Sequence, residues 1–123
     1  MCSAAIGGSS YGAIAALHTA ARYRGAFDRL LIESAPLWVG DGQLIHDARR
    51  ALRGVRAWIG VGTRESPKRE RDQQLSALAR ELAAAIAGRS AGRVAVRIVR
   101  GAPHHESAWS ARFGDALRWL FPR

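Results

Sequence analysis

Near the start of the chain, Gly8-Ser9-Ser10-Tyr11-Gly12 fits the pattern G-x-S-x-G and lies between a short apolar run and an alanine-rich, helix-like stretch. A serine on such a strand-to-helix turn stands clear of the sheet at a helix N-terminus, where free N–H groups and positive partial charge can receive an oxyanion. Ser10 is therefore the candidate nucleophile, and the backbone N–H of Tyr11 the candidate oxyanion donor. Ser9 is the weaker choice, because the pattern centred on it puts Tyr11 where the second glycine belongs. A Gly/Ser turn that binds a phosphate, or nothing, has the same letters, so the pentapeptide needs partners.

The first partner is a base. His18 falls inside the first helical stretch and His46 inside a polar segment, positions of ordinary surface histidines. His104 and His105 lie instead in the loop Gly101-Ala102-Pro103-His104-His105-Glu106, between the last apolar run and the last helical segment. Loops leaving the carboxyl ends of parallel strands line the active edge of such sheets. The second partner is a carboxylate at another strand end, to orient the imidazole. Glu65, after Val61-Gly62-Thr63-Arg64, fits best; Glu33, at the exit of the second apolar run, is the alternative, and Asp72 a more distant one. Serine, then acid, then histidine is the chain order of the α/β-hydrolases.

Holding these residues together takes an alternating α/β chain. Four apolar runs, Ala4 to Gly7, Leu30 to Glu33, Ala57 to Val61 and Val94 to Val99, alternate with four helix-like segments, the pattern of a parallel sheet covered by helices. Arg97 interrupts the last run, which suits an edge strand. Leu75, Leu78, Ala79, Leu82 and Ile86 make one helical stripe, with Ser66 as its N-cap and Pro67 as first helical residue. Trp109, Phe113, Ala116, Leu117 and Leu120 make another, stopped by Pro122, and a weaker helix is expected from about Gln43 to Leu52. The expectation is one three-layer α/β/α domain over residues 1–123, with about four parallel strands.

Composition narrows the function classes. The 123 residues carry 19 Lys plus Arg against 10 Asp plus Glu, a net charge of +9. The arginines are scattered through every segment rather than gathered on one stripe, which argues against binding nucleic acid or another polyanion. A single cysteine, Cys2, excludes an intramolecular disulfide framework and a Cys-rich zinc site. No run approaches the ~20 apolar residues of a membrane span, and no segment reads as an export signal.

With these residues in hand, the chain resembles the esterase family that includes esterase D-type enzymes and the ferric-enterobactin esterases. Three blocks carry the resemblance: Ile6-Gly7-Gly8-Ser9-Ser10-Tyr11-Gly12, Ser34-Ala35-Pro36-Leu37-Trp38, and Gly101 to Trp109. In the family the histidine precedes a tryptophan by five positions, which implies His104 with Trp109. The resemblance also implies an acid at Glu65, a small-molecule ester as substrate, an acyl-enzyme on Ser10, and neither metal nor organic cofactor. Trp38 is the candidate substrate contact, flanking an acyl or aromatic group, although packing is the commoner role of an apolar tryptophan in a loop. Family domains place about half the sheet before the nucleophile strand, and here that strand begins almost at Met1. The expectation is thus the C-terminal half of an α/β-hydrolase fold. It would lack the second oxyanion donor, whose loss costs about 10²–10³ in kcat. Its first strand would be exposed to a second copy or an N-terminal half. The rival expectation is an inactive α/β fragment that serves as an interaction or assembly module.

Overall fold

In the computed structural model, which describes residues 3–123, the chain runs β1 (Ala5–Ser9), α1 (Tyr11–Arg22), β2 (Arg29–Glu33), α2 (Gln43–Ala51), β3 (Arg56–Arg64), α3 (Arg69–Ala87), β4 (Val94–Pro103) and α4 (Glu106–Leu120). The four strands form one parallel sheet in the order β1-β2-β3-β4. Each crossover steps to the next strand in the same direction, and right-handed crossovers that all step one way put their helices on one face. So α1, α2 and α3 share a face, and α4, which follows the last strand, crosses the other against β2, β3 and β4. Three layers result.

The period of two along each strand divides the side chains between these layers. Leu30, Ile32, Ile59 and Val61 join Leu17, Leu82 and Ile86 in the larger core under α1–α3. The intervening Leu31, Trp58 and Ala95 meet Ala116 and Leu120 of α4 in a smaller one. The last carbonyls of α4, left without helical donors, accept from two arginines: Arg29 Nε on Leu120 O at 2.6 Å and Arg56 Nε on Trp119 O at 2.7 Å. Arg97 stands exposed on edge strand β4, its guanidinium 5.3 Å from the Trp58 ring centre.

Four elements depart from the sequence expectation. Strands β3 and β4 run past their apolar runs, to Arg64 and Pro103, with a register irregularity between Gly62 and Arg64. Helix α3 starts at Arg69, not Pro67, because Lys68 is extended (φ −102°, ψ 120°) and Ser66 Oγ accepts from Lys68 N in a turn ahead of the helix. The α4 stripe is only partly covered. Ala116 and Leu120 are buried, but Phe113 and Leu117 are exposed, since among the described residues no element packs outside β1 on that flank. A cavity of about 500 Å³ opens there between the β1 backbone and Phe113, Leu117 and Phe121.

Candidate active site

Ser10 joins β1 to α1 with φ 57° and ψ −127°, a positive-φ conformation that costs a non-glycine residue about 1–3 kcal/mol. Its surroundings hold it there. The Ser10 N–H donates to Glu33 O at 2.9 Å, and its carbonyl accepts from Ala13 N at 3.0 Å. A Cβ at Gly8 would collide with the Gly12 carbonyl, so the first glycine of the motif is required by contact, whereas a Cβ at Gly12 would meet only open space. The Ser10 side chain makes no capping bond. It points instead at His104, with Oγ 2.9 Å from Nε2. As first residue of α1, Tyr11 has an N–H with no intrahelical acceptor, and the residue is 69% exposed.

The irregular end of β4 brings His104 to this turn. Gly62 pairs with Val99 but Arg64 pairs with Pro103, so β4 carries two residues more than its partner, and Gly101 (φ 79°) takes the bend. Such bulges re-aim side chains at strand ends. The bent strand passes so close to β3 that a Cβ at Gly62 would overlap the Ala102 carbonyl.

His104 Nδ1 lies 2.9 Å from Glu65 Oε1. The Glu65 side chain is 1% exposed, and a carboxylate so buried needs its oxygens satisfied. Oε2 accepts from Gly62 N at 2.5 Å and from the Ser34 hydroxyl at 2.6 Å. Ser34, itself buried and at φ 51°, accepts in turn from Trp109 Nε1 at 2.8 Å. The Trp109 ring stands edge-on to His104, with centroids 5.2 Å apart at 89°. The roles of Ser34, Trp109 and the Gly62 N–H escape the sequence reading, although Ser34 and Trp109 lie in blocks it singles out.

The other candidates are placed elsewhere. Glu33 sits on the α4 side of the sheet, where its carboxylate takes Arg112 Nε at 3.0 Å, Arg112 NH2 at 2.6 Å and Trp58 Nε1 at 2.8 Å. Asp72 Oδ1 accepts from the N–H groups of Glu65 (3.0 Å) and Ser66 (2.9 Å), and so fixes the turn that carries Glu65. His105 is the N-cap of α4, its Nδ1 accepting from Ser107 N at 3.0 Å. His18 and His46 are exposed. Trp38 lies on the rim of a pocket of about 290 Å³ shared with Ser10 and His104. Among the described residues no group of three or more His, Cys, Asp or Glu could hold a metal ion, and no helix is long and apolar enough to cross a membrane.

The chain matches the model of the family described as "Putative esterase" over residues 2–120. Among solved structures, it is similar to the ferric enterobactin esterase of Salmonella typhimurium (19% identity, TM-score 0.74), covering 94% of this chain and 29% of that one. The siderophore hydrolase EstB of Aspergillus nidulans (19%, TM-score 0.71) covers 97% of this chain, which spans 50% of EstB. For the BES protein of Bacillus cereus (17%, TM-score 0.68) the shares are 94% and 44%. The chain therefore spans half or less of the length of these structures. No curated protein matches it by sequence.

Proposed function

The chain belongs to the Putative esterase family, and on that premise we propose that it carries the nucleophile, base and acid of a serine ester hydrolase. The observation that bears most weight is the unbroken contact from Ser10 Oγ to His104 Nε2 and from His104 Nδ1 to Glu65, 2.9 Å at each step. Ser10 gives its proton to His104 Nε2 as Oγ bonds to the ester carbonyl. The Tyr11 N–H receives the developing oxyanion. Glu65 holds Nδ1–H and stabilises the imidazolium. The Nε2 proton passes to the departing alkoxide, leaving an acyl group on Ser10. Water, deprotonated by His104, then releases the acid. The names of two similar structures, a ferric enterobactin esterase and a siderophore hydrolase, agree with an ester as substrate.

A fluorophosphonate probe tests this reading: it labels the wild type and fails to label Ser10→Ala or His104→Ala, while His105→Ala is labelled. A folded wild type that takes no label overturns it. A second reading rests on the outer edge of β1, unpaired among the described residues, and the cavity beside Phe113, Leu117 and Phe121. On that reading the domain, the C-terminal half of a hydrolase fold, completes its sheet with a second copy or an N-terminal half. Light scattering that finds a monomer at all concentrations, unchanged when an N-terminal half from a relative is added, removes it.

A further inference from the structure

The pocket beside Ser10 and His104 also carries a cation with no acid of its own. Arg71, half-buried on α3, holds its guanidinium 4.4 Å from the Trp38 ring centre and donates from NH1 to Gln74 Oε1 at 2.7 Å. Among the described residues no carboxylate pairs with it. A mobile surface arginine contributes little to recognition, but one stacked on an indole is held in place with part of its planar fork free for an oxyanion. The acids nearby are already committed, Glu65 to His104 and Asp72 to two backbone N–H groups. The adjoining pocket, which shares Ser66 and Pro67, is lined by Arg64, Arg69 and Arg100 against one acid, the buried Asp72. Its mouth is therefore positive, and walls of low dielectric focus that field on an incoming ligand.

We propose that Arg71, fixed by Trp38, sets the specificity of this site for esters that bear a carboxylate near the scissile carbonyl. This rests on the serine ester hydrolase reading above. It also gives Trp38 a definite task, as the platform that aims a guanidinium.

Two 4-nitrophenyl alkylphosphonates of equal chain length, one ending in methyl and one in carboxylate, test it through their rates of attachment to Ser10, read by peptide mapping. The wild type takes the carboxylate probe about tenfold faster, the order of one charge-assisted hydrogen bond. The ratio falls toward one as salt rises from about 50 mM to about 1 M. In Arg71→Gln it is about one at low salt; in Arg71→Lys, which keeps the charge but not the fork, it is intermediate, and Trp38→Leu lowers it as well. A wild-type ratio of one or less, or an Arg71→Gln ratio equal to that of the wild type, overturns the proposal while the ester reading stands. If neither probe attaches to Ser10, the ester reading fails and this proposal falls with it.

Discussion

The two faces of the sheet hold their helices by different physics. Under α1–α3, Leu17, Leu30, Ile32, Leu82 and Ile86 are fully buried together, and the cohesion is non-directional burial, shared among many groups. Under α4 the apolar cluster is small, and directional contacts take over. The Glu33–Arg112–Trp58 set lies beneath the helix, two arginines hold its last carbonyls, and Arg56 stacks 4.2 Å from the Trp119 ring centre. The candidate site straddles this division. Ser10 leads into α1 and Glu65 is set by the turn before α3, while His104 stands at the entrance to α4 against Trp109. The lesson is that the α4 side sets geometry at the expense of redundancy, and single changes there should show it.

The largest effect is expected on that side. Arg112→Ala leaves the Glu33 carboxylate buried with Trp58 Nε1 alone, and removing one partner of a buried pair costs about 3–5 kcal/mol, read as a fall in the denaturation midpoint. Among the described residues Arg112 NH1 is buried without a hydrogen-bond partner, so the pair already carries a desolvation cost. The double replacement Glu33→Leu with Arg112→Met should therefore recover most of the loss. If Arg112→Ala costs under about 1 kcal/mol, directional contacts do not dominate this face. On the opposite face Leu82→Ala is expected to cost about 3 kcal/mol by leaving a cavity. There the loss should track the volume deleted, with Ile59→Val near 1 kcal/mol. Phe113→Ser, on the open flank of α4, should change monomer stability by no more than about 0.5 kcal/mol.

Legibility in the sequence follows a similar division. The candidate nucleophile is readable because its whole requirement is local: a strand, a turn with Gly8 under it, and a helix start. The hydrophobic alternation likewise reveals four strands and four helices. The candidate acid is harder, since Glu33 and Glu65 both follow apolar runs. What separates them is strand parity and length. Glu33, the last residue of β2, faces α4, whereas β3 continues through Gly62-Thr63-Arg64, residues that read as a turn, and only then delivers Glu65. The bulge in β4 is hidden for the same reason, because Gly101 and Pro103 read as loop. The early start assigned to α3 at Ser66-Pro67 fails because Asp72, six residues on, claims the N–H groups of Glu65 and Ser66 for a turn, and Lys68 after it is extended. None of these is a local preference. The first two depend on how separate strands pair, and the third on a side chain six to seven residues further along.

Acid should separate the faces once more, with the smallest effect. Asp28, at the entry to β2, accepts from Ala4 N at 3.1 Å and from Arg29 NH1 at 2.9 Å, while Arg29 Nε holds the end of α4. Slight burial pulls the Asp28 pKa upward, but the Arg29 hydrogen bond, the Ala4 N–H and the Arg29 charge together outweigh it and hold the carboxyl below its ordinary value. A folded pKa below the unfolded one means a contribution to stability that is present above the ordinary carboxylate value and lost as pH falls through the folded one. Below about pH 4 the tie from β1 through Arg29 to α4 should weaken, whereas the apolar contacts of α1–α3 contain nothing that titrates there. Denaturation midpoints measured from about pH 6 to about pH 2 should fall less steeply for Asp28→Asn than for the wild type. Hydrogen exchange over the same range should locate the difference in β1 and the last turn of α4. Equal slopes in the two proteins would mean that this exposed ion pair adds nothing, and that the polar character of the α4 side resides wholly in its buried Glu33–Arg112 pair.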